Sequence, residues 1–344
     1  MTITTQSYAA ARTIVQKTKS YEDSLPIRNE GCRSRFLLHS APTPKVCLFF
    51  HGFTAAPYQF LPMGKTFYRA GYNVIIPRMP GHGKAGDWGE DNPPPLPTTP
   101  DIYKQFALNW LQKAQALGNR VVVGGLSGGG TMTAWLSLEK AEQIDRALLF
   151  APYLSGSNKV IDLIVNVFSS YFSWKTNEPE KVVGYGGFEV PALRVFLEMG
   201  REILQRSQTH KSAPMFVIST EADQAVSNLD HQTLIENSLK RQPKSWYYCF
   251  DQLLNIPHTM MTQAEGNDWE NVLNSMAKAY VESNLTWAEV EDIAYRMTQG
   301  RTFDQAAADL KLRDRASRDM PTVLTMVDKR EIVIKRNPSW RDQF

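Results

Sequence analysis

Between residues 34 and 283, short apolar runs alternate with longer segments whose apolar residues recur at helical spacing. The run 45–52 is apolar over most of its length, which is typical of a strand buried on both faces of a sheet. The other runs that predict strands are 34–40, 72–77, 120–125, 145–154, 214–223 and 244–253. Strands that alternate with helices form a mostly parallel sheet with helices on both faces. The sequence therefore predicts an α/β fold.

Residues 155–212 interrupt this alternation. A structureless loop of that length is rare inside a compact domain, so we expect an inserted unit with helices of its own, at 161–174 and 190–206. The first of these carries an apolar face made of Ile161, Ile164, Val165, Phe168, Tyr171, Phe172 and Trp174. This face either lines a pocket for an apolar group or packs the insertion onto the body, and both interpretations remain open.

The chain divides into an N-terminal extension (1–33), a body in two parts (34–154 and 213–283), the insertion between them and a C-terminal accessory segment (284–344). In the accessory segment, capping-box patterns at 286–289 and 302–305 predict two short helices. The apolar runs within 320–336 predict a pair of strands.

Composition argues against several classes of function. The formal net charge is only +3 over 344 residues, which does not indicate a nucleic-acid partner. No apolar run is long enough to cross a bilayer stably, and the first twenty residues lack the apolar stretch of a secretory signal. Cys32, Cys47 and Cys249 form no C-x-x-C pair, which argues against a disulfide framework and against a zinc site. We therefore expect a cytoplasmic protein, whose oligomeric state the sequence leaves open.

A G-x-S-x-G pattern, GLSGG at 125–129, lies between a predicted strand and a helical segment. A direct turn from strand to helix strains the serine and brings the residues two before and two after it together, so glycine is required at both places. Gly125 and Gly129 occupy these positions. The turn would hold the Ser127 hydroxyl at the carboxyl end of the sheet, above a helix N-terminus that favours negative charge. A phosphate-binding loop is disfavoured because no lysine precedes Thr131.

A reactive serine needs a base within hydrogen-bond reach and an acid that orients the base. Asp223 closes one predicted strand, and His258 follows the next one. Glu221 and Asp230 are rival acids near the same strand end, and Asp223 is preferred for its place in the loop. The other histidines are expected in structural turns (His51 and His82), in a strand (His39) and on the surface (His210 and His231).

Attack on a carbonyl places negative charge on its oxygen, which backbone N–H groups can stabilise. Gly128, the residue after the candidate nucleophile, is one expected donor. Phe53, in the loop HGFTAAP after the strand 45–52, is the other. The alternative for this loop is an ordinary strand-ending turn.

The segments HGFTAAP, IPRMPGHG, GLSGGGT, TEADQAV and IPHTMM, in this order, resemble the α/β-hydrolase superfamily, in particular its monoacylglycerol-lipase-like and bacterial carboxylesterase branch. The resemblance covers residues 34–283. It implies Ser127 as nucleophile, Asp223 as acid and His258 as base, with Phe53 and Gly128 as oxyanion-hole donors. Two features depart from the pattern: Gly128 stands where a methionine, leucine or glutamine is commoner, and the C-terminal segment is not a usual component.

The resemblance implies cleavage of small, uncharged acyl esters through an acyl-enzyme intermediate, beneath a cap formed by 155–212, with neither metal nor organic cofactor. A thioesterase or acyltransferase would use the same residues. A peptidase is a further alternative, without a recognisable peptide-binding feature. A ligand-binding protein without activity is less expected, because all three members of the triad are present.

Overall fold

A computed structural model describes residues 5–157, 170–174 and 182–337 of the chain. Its strands are β1 (Arg35–Leu37), β2 (Lys45–Phe50), β3 (Asn73–Ile76), β4 (Arg120–Leu126), β5 (Arg146–Phe150), β6 (Tyr171–Ser173), β7 (Gly187–Glu189), β8 (Met215–Thr220) and β9 (Trp246–Phe250). Seven of them form one sheet in the order β1-β3-β2-β4-β5-β8-β9. Only β1 is antiparallel to its neighbour, so the predicted α/β class with a mostly parallel sheet is confirmed.

The described helices precede β1, connect strands of the sheet or follow β9. They are α1 (Thr5–Asp23), α2 (Leu61–Arg69), α3 (Pro100–Gln115), α4 (Gly128–Glu139), α5 (Val190–Ser207), α6 (Asn228–Leu239), α7 (Glu270–Glu282), α8 (Trp287–Thr298), α9 (Phe303–Asp309), α10 (Met320–Met326) and α11 (Lys329–Arg336). Short 3₁₀ turns, such as Pro57–Phe60 and Gln263–Glu265, lie in the loops.

The four central strands β2, β4, β5 and β8 are buried over nearly their whole length, because helices cover the sheet. Their apolar runs form the core, as expected for parallel strands. Polar residues come directly after the strands: Ser127 follows β4, and the loops after β8 and β9 carry Asp223 and His258. Since the carboxyl ends of parallel strands meet at one edge of a sheet, these three residues belong to the same edge.

The insertion differs from its prediction in its first half. Of the predicted apolar face, Ile161, Ile164, Val165 and Phe168 lie outside the described residues. The predicted helix is wrong at its end, where Tyr171–Ser173 form strand β6 and pair antiparallel with β7. The reason is the cross-strand pairing of aromatic residues, which places Phe172 opposite Phe188 and is typical of a small sheet. Phe172 and Trp174 remain 46% and 42% exposed.

The second predicted helix of the insertion is α5, one residue longer than expected. It packs against α3, α4 and α6. Its contact with α4 is close, because a Cβ atom on Gly128 would lie 3.1 Å from the ring of Phe196. Gly200 similarly allows the helix to approach the backbone of Leu154, where a Cβ would lie 2.1 Å from the carbonyl oxygen. This helix therefore covers the start of α4 directly.

The C-terminal segment forms helices throughout its described part. Both predicted capping boxes are present, at Thr286 before α8 and Thr302 before α9. The predicted strand pair at 320–336 is wrong, because this stretch forms α10 and α11. The Asp328 side chain accepts two backbone N–H groups at the start of α11, which favours a helix over a strand.

The C-terminal helices are packed into the body. α10 lies against α7, and Val323, Leu324 and Ile332 join the same apolar core as the sheet. The indole of Trp246 in β9 donates to the Leu285 carbonyl at 3.1 Å, and the Tyr248 hydroxyl donates to the Met326 carbonyl at 2.9 Å. This segment covers the β9 edge of the sheet and shares its core.

Near β1, the outer strand on the opposite side of the sheet from β9, helix α1 is attached to the body by a buried carboxylate. Glu22 accepts hydrogen bonds from the Ser34 backbone and hydroxyl and forms an ion pair with Arg78 at 3.4 Å.

Across the described residues, no helix is both long and apolar enough to cross a membrane.

Candidate active site

Ser127 occupies a strained turn between β4 and α4. Its backbone has φ 53° and ψ −117°, a positive φ that a non-glycine residue adopts rarely. A Cβ atom on Gly125 would lie 2.2 Å from the Gly129 carbonyl oxygen, and one on Gly129 would lie 2.2 Å from the Phe50 carbonyl oxygen. Both glycines are thus required by backbone contacts. For Gly125 the contact lies within the turn, as inferred from the sequence, whereas for Gly129 it is made with the end of β2.

Backbone hydrogen bonds hold this turn against β5. The Ser127 N–H donates to the Phe150 carbonyl at 3.0 Å, and the Tyr153 N–H donates to the Ser127 carbonyl at 3.1 Å. The Thr131 hydroxyl, one turn into α4, donates to the Tyr153 carbonyl at 2.7 Å. The Ser127 side chain remains partly exposed at the start of α4, where the positive end of the helix dipole favours developing negative charge.

Asp223 and His258 form a hydrogen-bonded pair. The distance between Asp223 Oδ2 and His258 Nδ1 is 2.6 Å, and the Asp223 side chain is fully buried. Its other oxygen accepts the N–H groups of Ala225 at 2.7 Å and Val226 at 3.2 Å. Burial alone would raise the pKa of the Asp223 carboxyl, but these donors, led by His258, hold the pKa below its ordinary value. The aspartate is thus an ionised acceptor that orients the imidazole.

The rival acids have other partners. Glu221 lies at an exposed position and accepts the Gln252 N–H at 3.1 Å. Asp230 accepts a short hydrogen bond from the Ser155 hydroxyl. Within the described part of the chain, neither carboxylate is hydrogen-bonded to His258.

No hydrogen bond of the described residues joins His258 to the Ser127 hydroxyl. The Nδ1 atom of His258 is engaged by Asp223, which leaves Nε2 as the nitrogen that can take a proton. Such hydrogen bonds are often long in the absence of substrate and tighten when it binds.

The loop after β2 has two of its N–H groups anchored on either side of Phe53. The Gly52 N–H donates to the Gln59 side-chain oxygen at 2.8 Å, and the Thr54 N–H donates to His82 Nε2 at 3.1 Å. The N–H groups of Phe53 and Gly128 have no acceptor among the described residues. We refer to His51–Ala55, the loop that carries the candidate oxyanion-hole donor Phe53, as the oxyanion loop.

His51 and His82 are buried structural histidines, as their positions before glycines predicted. His51 Nε2 accepts the Met79 N–H at 3.1 Å, and His82 Nδ1 lies 2.9 Å from the Pro80 carbonyl. Burial lowers the pKa of His51 and lowers that of His82 to about 4, so both rings are neutral at pH 7. They connect the oxyanion loop to the loop after β3.

Two histidines lie elsewhere than predicted. His231, expected on the surface, is fully buried in α6, where its Nε2 lies 2.8 Å from the Pro152 carbonyl. The reason is the register of α6, which turns this position toward the β5 loop. His39, expected in a strand, lies after the end of β1 and stacks on the Tyr68 ring at 4.2 Å between centroids. His210 is exposed, as predicted.

Aromatic side chains cover the oxyanion loop. The Phe53 ring contacts those of Phe188 and Phe196, with centroids 5.0 and 5.3 Å apart. The exposed Phe172 and Trp174 extend this cluster, at 5.4 and 5.3 Å from Phe188. The Trp174 indole donates to the Thr54 hydroxyl at 2.9 Å, which joins the insertion to the oxyanion loop.

Two side chains with polar contacts at this edge were missed by sequence reasoning. Gln59 and Glu265 are hydrogen-bonded to each other at 2.6 Å, although they are 206 residues apart in the chain. No spacing or motif in the sequence pairs them.

The structure also shows no group of three or more His, Cys, Asp or Glu side chains, among those described, that could hold a metal ion.

The sheet order and the strained serine turn define the class: this chain is an α/β-hydrolase. It belongs to the hydrolase family described as serine aminopeptidase, S33, whose model matches residues 41–249. Among curated proteins it is similar to the thermostable monoacylglycerol lipase of Bacillus sp. (strain H-257), with 34% identity over 97 residues. That match covers 27% of this chain and 35% of the relative, so it spans about a third of the relative's length.

Solved structures with the same fold include lipolytic enzymes. One comes from a study of two metagenome-derived lipolytic enzymes, with TM-score 0.57 and 18% identity over 73% of this chain and 98% of that one. The monoacylglycerol lipase of Paleococcus ferrophilus matches with TM-score 0.55 and 14% identity over 72% and 97%. A soluble variant of the Saccharomyces cerevisiae monoglyceride lipase matches with TM-score 0.54 and 11% identity over 72% and 90%. At these identities the likeness supports the fold alone. The chain is thus an α/β-hydrolase that resembles monoacylglycerol lipases and esterases.

Proposed function

We propose that this chain is a serine hydrolase of carboxylic esters, with Ser127 as nucleophile, His258 as base and Asp223 as the acid that orients it. The observation that carries the proposal is the buried Asp223–His258 hydrogen bond at the edge of the sheet where the serine turn lies. An ionised carboxylate on Nδ1 fixes the tautomer in which Nε2 is the basic nitrogen.

In the first step, His258 Nε2 takes the proton of the Ser127 hydroxyl as its oxygen attacks the ester carbonyl. The carbonyl oxygen becomes an oxyanion, which accepts the N–H groups of Phe53 and Gly128. Donors of this kind are worth several kcal/mol in the transition state, about 3 to 4 each. The tetrahedral intermediate collapses as the C–O bond to the alcohol breaks. The alcohol leaves with the proton from His258, and the acyl group stays on the serine oxygen.

In the second step, water repeats the sequence. His258 takes a proton from the water as its oxygen attacks the acyl-enzyme, and the oxyanion forms against the same two donors. The intermediate then releases the carboxylic acid, and the proton returns to the Ser127 oxygen. Asp223 stays ionised throughout and stabilises the imidazolium form of His258.

The surface beside the oxyanion loop supports an uncharged small-molecule ester as the substrate. The proposed cap, residues 155–212, contributes Phe172, Trp174 and Phe188 to this surface, and Phe53 lies beneath them. Aromatic rings favour an apolar acyl chain and offer no cationic partner to a phosphorylated or other anionic substrate. The three cysteines are unpaired thiols, which fits the reducing conditions of the proposed cytoplasmic location.

A labelling and turnover experiment tests the proposal. The wild-type chain should react with a fluorophosphonate probe and hydrolyse p-nitrophenyl esters across a series of acyl lengths. Ser127→Ala should lose both reactions. Ser275→Ala, a surface control whose hydroxyl only contacts its own helix, should keep both. Amino-acid p-nitroanilides and acyl thioesters complete the set. If a p-nitroanilide is turned over faster than any ester, a peptidase replaces the esterase as the proposed function. If an acyl thioester is cleaved faster than any ester, a thioesterase replaces it.

A further inference from the structure

The Glu265 carboxylate connects two segments that are distant in the chain. The Tyr58 hydroxyl and the Gln59 amide donate to its Oε1 at 2.7 and 2.6 Å, and the Thr262 hydroxyl donates to its Oε2 at 2.9 Å. Tyr58 and Gln59 belong to the turn after the oxyanion loop, whereas Thr262 belongs to the loop that carries His258. Burial raises the pKa of the Glu265 carboxyl, and the three donors oppose this rise.

Gln59 extends this connection to the oxyanion loop itself. Its side chain is 1% exposed, and its Oε1 accepts the Gly52 N–H at 2.8 Å. Its Nε2 donates to Glu265. The orientation of the amide is determined by its partners, because a backbone N–H needs an oxygen and a carboxylate needs a donor. A continuous chain of hydrogen bonds therefore runs from Gly52 through Gln59 to Glu265.

The proposed oxyanion donor, the Phe53 N–H, lies between two anchored peptide groups. Gln59 holds the Gly52 N–H, and His82 holds the Thr54 N–H at 3.1 Å. Thr54 has φ 62°, which a non-glycine residue adopts only when its surroundings enforce it. The direction of the Phe53 N–H thus depends on its two neighbours, and one of these depends on Gln59.

Glu265 also organises the loop of the proposed base, through its carboxylate at the Thr262 hydroxyl and through its own backbone groups. The backbone N–H of Glu265 donates to the Thr262 hydroxyl at 3.2 Å, and the Thr259 hydroxyl, next to His258, lies 3.4 Å from the Glu265 carbonyl. Asn267 closes the loop by donating to the Met260 carbonyl at 2.6 Å. Both sides of the proposed catalytic machinery therefore converge on one side chain.

We propose that Glu265 is a positioning residue, which holds the oxyanion loop and the His258 loop in a fixed relation through Gln59. This inference rests on the proposed function for its effect on turnover. The hydrogen-bonded connection itself is independent of that function. Removal of an oxyanion-hole donor costs about a hundredfold or more in kcat. A misplaced Phe53 N–H still contributes to transition-state stabilisation, so its misplacement should lower kcat by less than that.

A side-chain exchange tests the connection. Glu265→Gln leaves one acceptor oxygen in place of two, so the side chain can accept from Gln59 or from Thr262 but not from both. Gln59→Glu places two carboxylates side by side. The double variant Gln59→Glu/Glu265→Gln restores the bond between the two side chains with donor and acceptor exchanged, and the Tyr58 hydroxyl then accepts the second N–H of the new amide. The new carboxylate at 59 accepts from Gly52 and from the new amide at 265, whose oxygen accepts from Thr262. Glu270→Gln is the matched control. Glu270, at the start of α7, accepts the Gln263 N–H of the same loop but does not contact Gln59.

Two readouts are measured on each folded variant. Each single variant should lower kcat for a p-nitrophenyl ester about tenfold or more, with KM within about threefold, since substrate binding does not require the oxyanion contact. The double variant should return to within about threefold of wild type, and Glu270→Gln should match wild type. Hydrogen exchange at the Gly52, Thr54 and Ala55 amides should accelerate in the single variants and slow again in the double variant.

The outcomes separate the two proposals. A wild-type protein that neither cleaves esters nor reacts with the fluorophosphonate refutes the proposed function, while hydrogen exchange still decides the connection. Single variants with wild-type kcat and wild-type exchange in the oxyanion loop overturn the role of Glu265, as does a double variant no better than the single ones. If Glu265→Gln does not fold, Gln59→Met removes the link to Gly52 and leaves Glu265 with Tyr58 and Thr262. It must show the same loss of kcat and of exchange protection.

Discussion

Asp223 and His258 are 35 residues apart in the chain and 2.6 Å apart in the fold. The loop after β8 supplies the carboxylate and the loop after β9 supplies the imidazole, and the two strands are parallel neighbours. The pairing follows from the sheet, because adjacent parallel strands deliver their carboxyl-terminal loops to the same place.

Replacement of the three candidate acids should single out one. We expect Asp223→Asn to lower kcat by about 10⁴, because an amide stabilises the wrong imidazole tautomer while it preserves the shape of the site. Glu221→Gln and Asp230→Asn should stay within about threefold, since their partners are Gln252 and Ser155. Steady-state turnover of a p-nitrophenyl ester measures all three. A comparable loss in either rival variant would reassign the acid.

The serine and the histidine should act as one unit. We expect Ser127→Ala, His258→Ala and the double variant to lose nearly the same activity, because neither group has a function in the first step without the other. The measurement is residual kcat at saturating substrate. Losses that multiply in the double variant would show that His258 is not the base for Ser127.

The glycines of the serine turn should tolerate no side chain. In Gly125→Ala the new Cβ meets backbone atoms of Gly129 at 2.2 Å, and such a contact cannot be relieved by rotating a side chain. We expect a loss of at least about 3 kcal/mol in the free energy of unfolding, or insoluble protein. Gly186→Ala meets nothing within 4 Å and is the matched control. Thermal unfolding and expression in soluble form give the answer, and an unperturbed Gly125→Ala protein would contradict the observed turn.

Buried neutral histidines should make the fold sensitive to acid. Burial lowers the pKa of His82 and of His231 to about 4, whereas the unfolded chain has ordinary histidine pKa values near 6.5. Between these values the unfolded state binds more protons, so stability is complete above about pH 6.5 and falls as the pH drops toward 4. Each histidine contributes up to about 3 kcal/mol to this loss.

Urea unfolding between pH 4.5 and 7.5 measures that dependence. We expect His231→Asn to reduce the slope of unfolding free energy against pH by about one proton in this window. His210→Asn, at an exposed position, is the matched control. Equal slopes in both variants and the wild type would show that His231 does not enter the fold as a neutral ring.

The C-terminal helices should be required for stability. We expect truncation after Ser283 to yield insoluble protein, because it uncovers α7 and the β9 edge and removes the acceptors of Trp246 and Tyr248. A milder test is Leu324→Ala, which should cost about 2 to 5 kcal/mol by leaving a cavity in the core. Thr325→Ala, exposed beside it, should cost little. A soluble and active truncated chain would establish the segment as accessory after all.

Local features were predictable from the sequence. Gly125 is required by a contact with Gly129 inside a five-residue turn. The buried strands are recognisable in the sequence as apolar runs of the right length. The helices α8 and α9 follow from capping boxes that span four residues each. In each case the physical cause lies within one turn or one strand, so a short window of sequence contains it.

The remaining features depend on contacts between distant segments. The stretch 320–336, expected as strands, forms helices that pack Val323, Leu324 and Ile332 onto the body. His231 is buried by the orientation of α6. Glu265 reaches Gln59 only because the last loop of the sheet returns to the first. By itself, the sequence determined that the candidate residues lie in turns or loops that follow separate strands along the chain: Ser127 first, then Asp223, then His258. Only the tertiary structure decided which side chains hold these loops in place, because hydrogen bonds across 206 residues leave no periodic trace in the chain.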